Sequence, residues 1–383
     1  MNILMISLDK ALVGGKSLGD AIERHKKYGA LVDRLDIIAP TSKKENLPVF
    51  EMAKNIHGHP SNSYSKIFFI FDAIQIAQKI IKKNTECLEG EPDLIVCQEP
   101  FITGLTGWLI KKITTTKLLI HFHGDFWGNK NWLKEKKINY LFLLISKFIV
   151  PRADAIRVVS HGIKNKVAQA GIAQDKIYVI PTPVDLKKFE HQNLKKIDEI
   201  KKSVNNKKII LYVGRLAREK NLRMLINAFE IVSNSFENCA LMIVGDGLGR
   251  KNLESRIKNL DLKNKVIFQG SVDSDRLSDY YHASEIFVLP SDSESFGKVL
   301  VEAGASGLAS ISTKTTGAKE IIKNGETGLL AEIDDEKDFS DKILYLLQNP
   351  EICAKMGEQA KSRVNKYFGD TTEKIIELWR KIC

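Results

Sequence analysis

The sequence contains no Cys-x-x-Cys pair. Its five cysteines, Cys87, Cys97, Cys239, Cys353 and Cys383, are odd in number and widely spaced, which argues against a disulfide framework or a zinc site and leads us to expect reduced thiols. Proline is scarce at 10 residues, and no low-complexity tract or repeat of solenoid period occurs, so collagen-like and repeat architectures are excluded. No apolar run approaches the ~20 residues of a membrane-spanning helix. The longest, residues 141–150, is interrupted by Ser146 and Lys147. The opening MNILMISL has no basic n-region and reads as a buried strand rather than a secretory signal. These absences point to a cytoplasmic globular protein.

At 383 residues the chain is longer than one hydrophobic core usually supports, so two domains are expected. The formal charge of +11 is unevenly distributed. Residues 1–210 hold 34 Lys+Arg against 21 Asp+Glu, a net of +13, and residues 211–383 hold 24 against 26, a net of −2. That asymmetry fits either an anionic partner near the first half or a surface kept soluble by scattered lysines. Around Trp132, the lysines 134, 136 and 137 precede the apolar run that follows Tyr140, a pattern that fits peripheral contact with an anionic membrane and equally a core helix.

Short apolar runs (NILMISL, LDIIAP, DLIVCQ, KLLIHFHG, AIRVVS, IYVIP) alternate with longer helical patterns through the first half. A second series (KIILYVGR, ALMIVGDG, KVIFQG, IFVLPS, LASIST) begins after residue 207. Such alternation predicts two α/β, doubly wound parallel sheets, with ligands at the carboxyl ends of the strands. The boundaries expected are residues 1–190 for the first domain, a charged linker at 191–207 and residues 208–370 for the second. A terminal helix at 371–383, with Ile375, Ile376, Leu378 and Trp379 on one face, packs back on the first domain or on its own.

Five stretches bear on chemistry. In residues 289–313, LPSDSESFGKVLVEAGASGLASIST, Glu294 and Glu302 are separated by seven residues, and Phe296, Gly297, Lys298 and Val299 open a helix after a strand and loop. Such a helix start presents amides and a positive dipole end to an anion. In YVGRLAREKN, residues 212–221, Arg215 and Lys220 follow a strand and Gly214, where two cations can flank a departing diphosphate. Gly245, Asp246 and Gly247 end another strand, but Arg250 stands where a dinucleotide fingerprint needs glycine. Gly14 and Gly15 follow the first strand, and Lys10 stands where a P-loop needs glycine. His121 and His123 share a strand end without the carboxylates or cysteines of a metal site.

Taken in order, these segments resemble glycosyltransferase family 4, the retaining GT-B glycosyltransferases also called glycosyl transferases group 1. The first stretch resembles the family's E-x7-E motif, with Leu308 in place of a common proline. The second is similar to its G-R-x-x-x-x-K-N motif. The resemblance implies two Rossmann-like domains facing a central cleft. It implies His123, Arg215, Lys220 and Glu294 as catalytic, and Gly14, Gly15, Gly214, Gly245, Asp246, Gly247, Gln269, Gly270, Phe296, Gly297, Lys298, Val299 and Glu302 as donor-binding. Ser160 falls on the acceptor side, and Thr182-Pro183 departs from the family's Asn-Gly turn. The implied reaction moves a hexose-type sugar from a UDP- or GDP-sugar to a glycan or lipid-linked acceptor, with retention, in polysaccharide or glycolipid synthesis. No cofactor and no metal are implied. A nucleotide-sugar epimerase or phosphorylase on the same fold stays open. A nucleic-acid partner is not expected, because aromatic interleaving and reading motifs are missing.

Overall fold

A computed structural model describes residues 1–15, 20–65, 67–86 and 90–383. Cys87 lies outside the described residues, as do Lys16 and Ser17 of the Gly-Gly-Lys-Ser stretch. The chain forms two compact units, Met1–Pro181 with Thr371–Cys383, and Thr182–Asp370.

The first unit holds strands β1 (Asn2–Ile6), β2 (Arg34–Ala39), β3 (Phe50–Ala53), β4 (Ile56–Pro60), β5 (Leu94–Cys97), β6 (Lys117–Phe122), β7 (Ala155–Val158) and β8 (Ile177–Val179). They form one sheet ordered β3-β4-β2-β1-β5-β6-β7-β8. All pairings are parallel except β3 with β4. The central strands are unbroken apolar runs because helices cover both faces: Ile3, Leu4, Met5 and Ile6 are all buried, as are Leu94, Ile95, Val96 and Cys97.

The second unit holds β9 (Lys208–Val213), β10 (Cys239–Val244), β11 (Val266–Gly270), β12 (Ile286–Leu289), β13 (Ser310–Thr313) and β14 (Gly328–Ala331). Their order is β11-β10-β9-β12-β13-β14, every pairing parallel. From β9 the chain winds outward through β10 and β11, then returns to β12 on the other side of β9. This reversal opens a crevice between the carboxyl ends of β9 and β12, the usual ligand position in open α/β sheets.

One segment departs from the sequence reading, and the terminal helix takes one of the two places left open for it. Residues 191–207, read as a linker, contain the helix Leu194–Ser203, capped by Asn193 and anchored by buried Ile197. It packs against the helix Leu277–Ala283 of the second unit. Asn205 and Asn206 then take positive φ values of 54° and 56° and turn the chain into β9. The terminal helix Thr372–Ile382 belongs to the first unit, where its wholly buried Trp379 meets Tyr28 edge-on at 5.5 Å.

Tyr28 in turn meets His25, on the helix Ala21–Gly29, at 5.3 Å. Burial, then the nearby Arg24 charge, lowers the His25 pKa to about 4. Its Nδ1 donates to the Ala21 carbonyl at 2.7 Å, which either ring form can do, but its Nε2 is buried with no acceptor for a second proton, so the neutral ring is the one that fits. Between an unfolded pKa of about 6.5 and the folded value, the unfolded chain binds more protons, and acidification removes stability. Buried Glu99 works the other way, its pKa raised by burial to about 7. The difference between wild type and a His25→Gln variant therefore isolates the histidine. Relative to that variant, wild-type stability in urea unfolding should fall by roughly 2 kcal/mol between neutrality and about pH 5, whereas a difference independent of pH would show that His25 is not buried neutral.

Candidate active site

The loops after β9, β10 and β12 meet at the crevice of the second sheet. The first two touch backbone to backbone. The Gly214 amide donates to the Val244 carbonyl at 2.9 Å, and the Leu216 amide to the Asp246 carbonyl at 3.0 Å. A Cβ on Gly245, whose φ is 130°, would lie 2.0 Å from the Gly214 carbonyl oxygen, so only glycine permits this approach. Gly247 lies close to Leu216 in the same way, where a Cβ would fall 2.8 Å from its carbonyl oxygen. The Gly245 amide donates to the Gly270 carbonyl at 2.7 Å, which ties in the end of β11 beside Gln269. Asp246 turns one oxygen to the Gly247 amide at 2.7 Å and faces the Arg250 guanidinium at 3.6 Å.

Across the crevice, Lys220 Nζ lies 2.5 Å from Glu294 Oε2, each side chain only 16% exposed. Two further bonds tie the same loops together. The Asp292 amide donates to the Glu219 carbonyl at 2.9 Å, and Asn221 Nδ2 donates to Asp292 Oδ1 at 2.7 Å. Asn221 does this with φ at 45° while its own Oδ1 caps the helix Leu222–Ser235. Arg215 reaches outward, its side chain 78% exposed and paired with Glu219 at 3.0 Å. Tyr212 supports that loop by donating from its hydroxyl to the Arg215 carbonyl at 3.0 Å, and burial, with Glu294 next, raises its pKa.

The helix Lys298–Ala305 starts beside Glu294. Gly297 occupies its cap position with φ at 88° and has no side chain to cap the first turn, so the positive end of the dipole is open to a ligand. Phe296 buries its ring against Phe368, centroids 6.0 Å apart, and thus offers backbone rather than ring to a ligand. Glu302 is buried and accepts from the Tyr281 hydroxyl at 2.9 Å, with Lys298 Nζ at 3.7 Å. The Val299 carbonyl is 3.5 Å from the same hydroxyl. The structure therefore brings Lys220, Glu294 and the helix start together, and turns Glu302 toward Tyr281.

In the first unit, His123 follows β6 and its Nε2 lies 2.8 Å from Gln98 Oε1, at the end of neighbouring β5. Gln98 is fixed in turn by donating to Met5 Sδ at 3.0 Å. The imidazole edge reaches solvent, yet desolvation by the crowding protein, then the Arg157 charge, holds its pKa well below the usual histidine value. Asp125 is buried and bonded by Lys166 through both oxygens, at 2.8 and 2.6 Å, which fixes the loop after His123. His121 is buried with Nδ1 3.4 Å from Arg157. Among the described residues, no three His, Cys, Asp or Glu side chains gather as a metal-holding set. Gly14 ends a short 3-10 turn, Lys10–Val13, with φ at 87°, and the Gly15 amide returns to the Lys10 carbonyl at 2.9 Å. Ser160, read from the sequence as acceptor-side, is wholly buried, and its hydroxyl caps the helix His161–Gln169 by accepting from the Ile163 amide at 3.4 Å.

Sequence reasoning missed Gln98, Glu219, Asp292 and Arg250 as site neighbours. For Asp292 the signal was present, in the same Ser-Asp-Ser-Glu stretch as Glu294. Gln98 becomes visible only once β5 is set beside β6. A Lys220→Met, Glu294→Gln double-mutant cycle on urea unfolding of the second unit should give a coupling of about 1–2 kcal/mol, between the values of exposed and fully buried pairs. Additive single effects would show that the two side chains do not hold each other.

A Glycosyltransferase Family 4 model matches residues 29–188, and a Glycosyl transferases group 1 model matches residues 194–363. The N-acetyl-alpha-D-glucosaminyl L-malate synthase of Bacillus anthracis is 27% identical over 62% of the chain, and the capsular polysaccharide biosynthesis glycosyltransferase CapM of Staphylococcus aureus is 29% identical over 60%. The match spans 61% of the length of each of these relatives. The fold is shared with Anabaena HepE, solved in complex with UDP, at a TM-score of 0.78 and 19% identity over the whole of both chains. With one of the two models on each half, glycosyltransferases among its relatives and two Rossmann-like sheets, the chain belongs to the GT-B glycosyltransferases of family 4.

Proposed function

We infer that the crevice between β9 and β12 binds the diphosphate of a nucleoside diphosphate hexose, UDP- or GDP-linked, and that the enzyme transfers the sugar with retention to a glycan or lipid-linked acceptor in surface polysaccharide or glycolipid synthesis. The observation that carries this reading is the Lys220–Glu294 pair at the switch point, beside a helix start whose cap is Gly297. UDP in the HepE structure and the capsular role in CapM's name support the donor class and the acceptor setting.

In the reaction, the bond between the anomeric carbon and the phosphate oxygen breaks and its electron pair stays on the departing phosphate. Lys220, Arg215 and the amides at Phe296–Gly297 meet that growing charge, which lowers the barrier more than it tightens ground-state binding. Glu294 accepts hydrogen bonds from sugar hydroxyls while holding Lys220 in place. The acceptor oxygen bonds to the anomeric carbon on the face the phosphate leaves, and its proton passes to that phosphate. His123, neutral and oriented by Gln98, is the first unit's candidate for hydrogen-bonding a substrate hydroxyl. This scheme draws its positive charge from side chains and requires no divalent metal.

A calorimetric screen of UDP, GDP and ADP identifies the donor base. Lys220→Ala should lower turnover with the matching labelled sugar by about 10²–10³-fold, and Arg215→Ala by about tenfold or more, with circular dichroism unchanged. Wild-type turnover in both variants would remove the diphosphate from this crevice.

A further inference from the structure

We propose that the outer face of the helix Ile138–Ile149 is a docking surface for an anionic lipid bilayer. This goes beyond the transfer reaction and does not depend on it.

The helix has two apolar sides. One, carrying Ser146 and Ile149, is buried toward the helix Ile102–Lys111. The other leaves Ile138, Tyr140, Leu141, Leu144 and Phe148 in solvent, with Tyr140 56% and Leu144 65% exposed. Residues 138, 141, 144 and 148 follow helical spacing, so the exposed residues form one stripe rather than scattered contacts. Isolated exposed leucines need no explanation, but a contiguous stripe of this kind marks an interaction site.

Charge identifies the occupant. Lys130, Lys134, Lys136, Lys137, Lys147 and Arg152 lie in or beside this helix in sequence, and Glu135 is the single carboxylate within residues 130–152, a net of six minus one, +5. At the far end, the Arg152 guanidinium lies 3.7 Å over the Phe148 ring, and Phe148 meets Trp108 edge-on at 5.4 Å. An aromatic pair with a cation at its rim suits the boundary between headgroups and acyl chains. A second copy docking isologously would set two like-charged rims against each other, which disfavours a dimer here. The helix is also 12 residues long, too short to cross a bilayer, and so lies in the interface plane. The same helical layer adds Phe68 and Phe71, exposed where the helix Phe69–Glu86 begins beside Ile102–Lys111.

The test uses the full chain, floated with vesicles of phosphatidylcholine alone or of phosphatidylcholine with phosphatidylglycerol. Binding to the anionic vesicles is expected, weakening steeply with added salt, with little binding to the neutral ones. A Leu141→Ser, Leu144→Ser variant and a Lys136→Gln, Lys137→Gln, Lys147→Gln variant should each bind anionic vesicles about tenfold more weakly or worse, with thermal unfolding and nucleotide binding as in wild type. Three results would overturn the proposal: no binding to anionic vesicles, undiminished binding by both variants, or a wild-type dimer that the leucine variant converts to monomer.

Discussion

One ion pair, Lys220 with Glu294, spans the gap where the chain order of the second sheet reverses, and the geometry of the site depends on it. Two partly buried charges are tolerable only because they face each other; either one alone would carry an uncompensated desolvation cost. The pair also joins loops that are far apart in sequence but follow adjacent strands, and the Asn221–Asp292 bond repeats the connection. Glycine makes the third side of this arrangement possible, because the loop after β10 presses its backbone onto Gly214 where no side chain fits. A polar site is thus built from main-chain contacts first and side-chain charges second.

The first unit orders its own buried charge by a different route. Arg157 is wholly enclosed, and burial lowers its pKa to about 10. It remains useful as a cation because carbonyl oxygens replace water: Nε donates to Ile180 at 3.0 Å and Nη2 to Pro181 at 2.8 Å. The Thr371 hydroxyl donates to the same Pro181 carbonyl at 2.8 Å. Pro181 and Thr371 are the residues at which the chain leaves and re-enters this unit, so its two borders are fastened together at one oxygen. The terminal helix that follows Thr371 then seats Trp379 in the core, where its apolar face contributes to the same unit from the far end of the sequence.

Both parallel sheets were legible because buried central strands leave continuous apolar runs, and each run quoted for β1, β2 and β5–β13 became a strand. The β3–β4 hairpin escaped notice since its strands are half exposed and carry charge and histidine, as in Glu51, His57 and His59. The edge strand β14, with only Gly-Leu-Leu-Ala, is too short to stand out. Residues 191–207 read as a linker because charge hides a helix that needs only one buried contact, Ile197. Side-chain direction was the least legible. Nothing in the spacing of Glu294 and Glu302 distinguishes a carboxylate that meets Lys220 from one that meets Tyr281, whereas Ser160, a serine directly before a helical pattern, does carry the mark of a helix cap.

The second unit carries almost no net charge, yet its proposed donor is an anion, and the pairing pattern accounts for how both hold. Each cation of the crevice faces a carboxylate: Lys220 with Glu294, Arg215 with Glu219, Lys298 with Glu302, Arg250 with Asp246 and Glu254. A cation held this way is positioned before a ligand arrives, so little side-chain entropy is lost on binding. It also discriminates, because an incoming anion must offer more than the single carboxylate it displaces or joins. A diphosphate, with two charges and several acceptor oxygens, meets that requirement where a lone carboxylate does not. On the proposed reaction, charge accumulates on the departing phosphate as the sugar bond breaks, so its advantage over the resident carboxylate would grow, and the same pairs that order the crevice would favour the transition state over the bound donor.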